Sequence, residues 1–200
     1  MRKPLSFDLL LEFEKEISIY TGAPYVVLTD CCTHALEMCI QYISPTKLSC
    51  SAHTYLSVPM MLHKLKIPFT YNHKPWQFEY QLKPSNIWDS ARAFDQGMYR
   101  KGSLQCVSFG HSKRLEIGHG GCILTDSKKD YITLKQMAFD GRDLNVSPWQ
   151  NQKEFRIGYH YYMRLEDAQK GLDMLRNGKL NSKESQIVNY PDCSNLNIKI

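Results

Sequence analysis

What most constrains this chain is a strand that runs almost without a linker into a helix. Tyr25–Thr29 reads YVVLT, a short run with β-branched residues at its centre. After Asp30-Cys31-Cys32, the residues Leu36, Cys39 and Ile40 recur at helical spacing across 33–43. The unit then repeats, with strand over 47–50, helix over 55–66 and strand over 68–71. Residues 72–86, with Pro75 and Pro84, read as loop with a short strand at 78–82. Three more strands are expected at 87–88, 105–109 and 122–125, and a helix over 127–139 that stops at Gly141. Upstream, Leu9, Leu10, Phe13, Ile17 and Tyr20 share one face of an amphipathic helix over 7–20, with Gly22 as its stop. Residues 142–158 have little periodicity, 162–176 return to helix, and 177–200 read as a polar tail. Strands alternating with helices predict an α/β fold, a mostly parallel sheet with helices on both faces. In such sheets ligands collect where strand C-terminal ends turn into helices. With 200 residues, 42% of them hydrophobic, the chain is expected to form a single domain spanning 1–200.

Composition removes several alternatives. The net charge of +5, from 25 basic and 20 acidic residues, is scattered and includes no polybasic run. It permits an anionic ligand such as a phosphate, a solvated surface explains it as well, and no nucleic-acid partner is implied. No apolar run reaches the roughly 18 residues a membrane span needs, so no membrane partner is expected either. Seven cysteines, an odd number, stand without C-x-x-C or His/Cys metal spacing in a chain whose first residues lack a signal-peptide h-region. Buried free thiols, a cytoplasmic location and no metal are the expectations.

Three turns carry chemistry. Thr29-Asp30-Cys31-Cys32-Thr33-His34 leads straight into a helix, where free backbone N–H groups and the helix dipole favour an anion such as phosphate. An ordinary N-cap by Asp30 or Thr33 accounts for the same residues. Ile87-Trp88-Asp89 sets one carboxylate at the end of a buried strand, where it needs a cationic partner or caps the helix that follows. Lys113, on the loop between the strands at 105–109 and 122–125, stands beside Arg114. A desolvated or cation-flanked lysine loses its proton readily and becomes a nucleophile, whereas a solvated Lys-Arg pair in a glycine-rich loop is the plain alternative.

Taken in order and spacing, these turns resemble the DegT-StrS family of nucleotide-sugar aminotransferases, which depend on pyridoxal 5'-phosphate (PLP) and belong to the fold-type I, aspartate aminotransferase-like superfamily. Ser108-Phe109, Lys113 and Gly118-His119-Gly120-Gly121 match the family's S-F-x-x-x-K-x-x-x-x-G-x-G-G pattern in full. Cys31-Cys32-Thr33 resembles its phosphate-gripping turn, and Thr54-Tyr55 the pair whose aromatic covers the cofactor ring. Trp88-Asp89-Ser90-Ala91-Arg92 resembles the E-D-A-A-[QH] segment, with Arg92 where glutamine or histidine is usual. Gly158 through Met163 resembles G-x-N-x-R-M, with His160 in place of the asparagine that reaches the partner subunit's phosphate. The resemblance covers about residues 13–175.

It implies a PLP-binding large domain in which Lys113 holds the cofactor as a Schiff base and Asp89 faces the pyridine nitrogen. Cys32, Thr33 and Ser108 would bind its phosphate, Tyr55 its ring face, with Arg92 near the ring hydroxyl and His160 contributed across a homodimer. The implied reaction moves an amino group, with glutamate as the expected donor, to a keto-sugar nucleotide. Relatives continue into a small domain that closes the site, and this chain is expected to lack it. A non-catalytic or partner-dependent protein on the same fold is therefore the competing reading. A nucleotide-binding module is disfavoured because Gly118-His119-Gly120-Gly121 lacks G-x-G-x-x-G spacing.

Overall fold

A computed structural model describes residues 6–182 and 189–199. The expectations for residues 1–5, and for 183–188 and 200 within the tail, lie outside the described residues. Among the described residues there are five α-helices, α1 (Asp8–Thr21), α2 (Cys32–Ile43), α3 (Ser57–Lys64), α4 (Lys128–Ala138) and α5 (Leu165–Arg176), and seven strands, the last five of which follow one another with no α-helix between them. The strands are β1 (Tyr25–Thr29), β2 (Leu48–Ser51), β3 (Phe69–Asn72), β4 (Tyr80–Gln81), β5 (Ile87–Asp89), β6 (Leu104–Ser108) and β7 (Gly121–Thr125). Gly22 ends α1 in the left-handed conformation at φ 79°, as its position after the last apolar residue requires. Each of the strand-to-helix units read from the sequence is present, the first strand with unchanged bounds and the other boundaries within three residues.

The strands form a five-stranded sheet in the order β1-β7-β6-β5-β4 and a separate parallel pair, β2-β3. The predominance of parallel pairing expected from the alternating pattern does not hold. In the larger sheet β1-β7, β6-β7 and β4-β5 are antiparallel and only β5-β6 is parallel. The reason is β7: it follows β6 after a loop with no crossover helix, so it returns antiparallel and is inserted between β6 and β1. Helix α2 packs on β1, β5, β6 and β7, and α4 lies beside it on β1 and β7. Helix α1 runs along β1 and packs against α5, where Gly171 leaves room for the Phe13 and Ile117 side chains.

Helix α5 starts at Leu165 rather than in the expected region near 162. The preceding segment is extended because Tyr159 and Tyr161 donate their N–H groups to Met137 and Ala138 at the end of α4, at 2.6 and 3.0 Å. The tail is more than polar coil: Cys193 is buried, and its N–H donates to Ala52 O at 2.8 Å. Six of the seven free thiols are buried, Cys31 being the partly exposed one.

The outer edge of β1 is closed by a charge. Glu14 of α1 accepts from Leu28 N–H at 3.1 Å and from Lys135 of α4, with both side chains buried. Burial pushes the Glu14 carboxyl above its ordinary value, and Lys135 offsets this. Replacing Lys135 with methionine removes the counter-charge and leaves the carboxylate buried alone, at a cost of about 3–5 kcal/mol. A urea melt of Lys135→Met is expected to show a lower midpoint at unchanged slope, with the extrapolated stability reduced by that amount. An unchanged midpoint would mean the pair contributes nothing at this edge.

Candidate active site

Strands β1 and β6 each run antiparallel to β7, and β5 runs parallel to β6, so β1, β5 and β6 point the same way. Their C-terminal residues Thr29, Asp89 and Ser108 open on one edge, where Gly121 at the start of β7 stands opposite both Thr29 and Ser108. A Cβ on Gly121 would lie 2.7 Å from Cys32 N and 2.7 Å from Val107 O. The bare glycine is what lets the start of α2 sit down on the strand edge.

At that start Cys31 is the N-cap, in place of the Asp30 or Thr33 cap that the plain reading of the turn allowed. Its sulfur accepts from His34 N–H at 3.4 Å. Asp30 is occupied instead by His34 Nδ1 at 2.7 Å, and that hydrogen bond carries the imidazole up to about 10. Thr33 Oγ1 meets Ser57 Oγ of α3 at 2.7 Å. The first-turn N–H groups of a helix have no intrahelical acceptor, so this corner offers donors and hydroxyls to an anion.

The start of α2 forms one wall of a cavity of about 490 Å³, and Cys32, Thr33, Tyr55, Asp89, Arg92, Ser108 and Lys113 all line it. Seven of the eight residues singled out in the sequence are thereby brought together. His160 is not among them: it lies exposed, 3.1 Å from Asp140, on the strip after α4. Within one chain it does not reach the cavity.

Asp89 forms the buried floor. Its Oδ1 accepts from Ala91 N–H at 3.1 Å, and the β4-β5 register sets Tyr80 directly across from it. The Tyr80 hydroxyl lies 2.7 Å from Thr54 Oγ1 and is near enough to the Asp89 carboxylate to lower its pKa. Desolvation raises the Asp89 carboxyl above its usual range despite these bonds and the nearby charges of Lys113 and Arg92. A cationic ligand group against it would meet a prepared counter-charge.

Lys113 sits on a loop closed at its base, where Phe109 and Gly120 pair and Gly118 donates to Phe109 O at 3.0 Å. Ser112 adopts φ 62°, a left-handed conformation uncommon outside glycine that recurs where backbone strain serves a site. Asn181, beyond α5, fixes the loop from outside through Lys113 O and Glu116 Oε2, both at 2.8 Å. Desolvation first, and the Arg92 charge second, lower the Lys113 amine below the ordinary lysine range. Arg114 is paired with Asp95 at 3.4 Å, so the two neighbours are not a solvated pair.

Several lining residues escaped sequence reading, among them Ser57, Val58, Trp76 and Tyr190. Ser57 and Trp76 carry no signal outside the fold. Tyr190 arrives from the tail: its hydroxyl accepts from Arg92 Nη1 at 3.1 Å, and its ring stacks on Trp76 with centroids 6.1 Å apart.

No family model matches the sequence, and neither does any curated protein. Solved structures do match. The sugar aminotransferase CalS13 from Micromonospora echinospora superposes with TM-score 0.69 at 13% identity, over 87% of this chain and 67% of that one. A DegT DnrJ EryC1 StrS aminotransferase from Brucella abortus gives 0.67 at 17%, over 86% and 60%. NtdA from Bacillus subtilis with bound cofactor PMP gives 0.67 at 19%, over 86% and 48%. The chain has the fold of these aminotransferases and spans about half to two thirds of their length.

Proposed function

We propose that this chain binds PLP in the cavity and is an aminotransferase acting on sugars, with glutamate as donor and a keto-sugar nucleotide as acceptor. The observation that carries the reading is the convergence of Lys113, Asp89 and the start of α2 on one cavity. The donor set fits the cofactor group by group. The α2 N-terminus with Thr33 and Ser108 suits its phosphate, the buried Asp89 carboxylate suits a protonated ring nitrogen, and the lowered Lys113 amine suits its aldehyde. Bound there, the cofactor supplies an electron sink for the substrate carbon.

The residues of the chain then have distinct tasks. Lys113 Nζ would hold the cofactor and, as a free amine, would move the proton at the substrate carbon. Asp89 would keep a proton on the ring nitrogen. Tyr80 and Thr54 keep the Asp89 carboxylate aimed, and Tyr55, exposed at the cavity wall, supplies an aromatic face for the ring. Arg92 keeps the Lys113 amine easier to deprotonate.

We also propose a homodimer. An open groove of about 640 Å³ runs beside the strip that carries His160, with Leu11, Ile132 and Trp149 exposed along it, and a second copy would cover it. Among the described residues no helix is long and apolar enough to cross a membrane, and the free thiols suit a reducing cytoplasm.

Titration of the purified protein with PLP tests the reading. The absorbance of bound cofactor is expected to shift away from that of free PLP, and glutamate is expected to bleach the shifted band as the amino group is transferred. Unshifted absorbance at saturating PLP would remove the cofactor assignment. A shifted band indifferent to every amino donor would leave binding without transfer.

A further inference from the structure

We propose that His53, His73 and Asp192 form a binding site for a divalent transition-metal cation of the zinc class, independent of the PLP cavity. The parallel β2-β3 pair creates the first half of it. Ser51 and Asn72 are register partners at the ends of the two strands, so His53 and His73, two residues and one residue further on, emerge side by side. The returning tail brings the third group. Asp192 bridges to His53, and Cys193 N–H donates to Ala52 O at 2.8 Å, with the buried Cys193 side chain fixing the register.

The donor atoms are arranged as ligands are. One each from His53, His73 and Asp192 lie within 4.8 Å of one another. His53 Nδ1 is 3.2 Å from Tyr190 O, and since a carbonyl only accepts, Nδ1 carries the proton and Nε2 keeps its lone pair. A hydrogen bond of this kind fixes the ring and leaves Nε2 as the nitrogen available to a metal. Asp192 Oδ1 is used by Ser194 N–H at 2.9 Å and Ser194 Oγ at 2.6 Å, while Oδ2 lies 3.5 Å from His73 Nδ1. Two ligands on a tetrahedral zinc, each about 2.0–2.1 Å from the metal, stand about 3.3 Å apart. The observed separation is long for a hydrogen bond and close to that ligand-ligand edge.

Two imidazoles and one carboxylate suit zinc, cobalt or nickel and are a poor set for magnesium or calcium, which prefer oxygen. Water would complete the four-coordinate shell. The site joins the β2-α3 turn, the end of β3 and the tail, so a bound cation would clamp Tyr190 into the cavity wall.

The test uses the full chain stripped with a chelator and titrated with zinc, then with cobalt as a spectroscopic probe. Expected are saturable zinc binding with a rise in melting temperature, and visible tetrahedral cobalt bands without a thiolate charge-transfer band. His73→Ala and Asp192→Asn, both outside the buried core, are each expected to weaken zinc binding by at least about tenfold. Three results would overturn the proposal: no saturable zinc binding, binding undiminished in both variants, or a thiolate-cobalt band removed by Cys31→Ser. That last result would move the metal to the Asp30-Cys31-His34 group. PLP absorbance, read separately, reports on the cavity whatever the metal result.

Discussion

With Lys113 replaced by alanine, borohydride treatment of PLP-saturated protein is expected to fix no cofactor, whereas the unaltered chain retains it on the peptide that carries Lys113. Turnover should fall by at least about 10²–10⁴-fold, the usual share of a positioned proton carrier. The expectation rests on where the amine sits. It lines the cavity on a loop held by Asn181 and by the left-handed Ser112, and burial with the Arg92 charge lowers its proton affinity. A lowered amine is neutral, and so nucleophilic, over a wider pH range than a surface lysine. Capture of PLP should therefore rise with pH and level off below the ordinary lysine range. Arg92→Gln removes the second of the two lowering causes, so its capture profile should move to higher pH. Cofactor fixed on another lysine in Lys113→Ala, or a profile unmoved in Arg92→Gln, would break the assignment at a different link each time.

The residues that were legible in the sequence are those whose task is set locally. Each of Cys32-Thr33, Asp89 and Ser108 through Lys113 stands at or just after the C-terminal end of a strand, and β1, β5 and β6 point the same way, so these turns had to meet once the sheet formed. Tyr80 was invisible because nothing in its own segment sets its role. It becomes the Asp89 partner only through the β4-β5 register. Tyr190 was invisible for a longer-range reason: its place depends on the tail docking through Cys193 and Ala52, with no periodicity to announce it. The pairing sense of β7 was misread because an alternating strand-helix pattern implies crossovers, and the loop 110–120 has none. His160 could be matched by motif but not by geometry, since its proposed partner belongs to a second copy of the chain.

Replacing Asp89 with asparagine is expected to separate stability from activity. The folded chain holds the Asp89 proton more tightly than the unfolded chain does, because desolvation raises this carboxyl above its ordinary value. The folded state therefore binds more protons in the interval from the ordinary carboxylate range up to the raised value. Across that interval stability falls as pH rises, and above it the full cost of a buried, ionised Asp89 remains. An asparagine side chain in its place carries no such cost and can still accept from Ala91 N–H. In the absence of cofactor Asp89→Asn should consequently melt no lower than the unaltered chain at neutral pH, and higher if relaxation is small. With PLP the order reverses in function. The variant should still fix cofactor on Lys113, but without a charge to keep the ring nitrogen protonated its turnover should drop on the order of 10²–10³-fold. Its gain in melting temperature on adding PLP should also be the smaller of the two. Tyr80→Phe tests the same carboxylate from the other side. Its hydroxyl lowers the Asp89 carboxyl, so losing it should raise that value further and move the acid limb of activity to higher pH. A cofactor-free Asp89→Asn that melts well below the parent, with turnover intact, would mean that Asp89 serves the fold by holding the turn at Ala91, no helix following it to be capped, and not the cofactor. A buried carboxylate that costs stability until a cation arrives is the pattern a binding site leaves in a protein core.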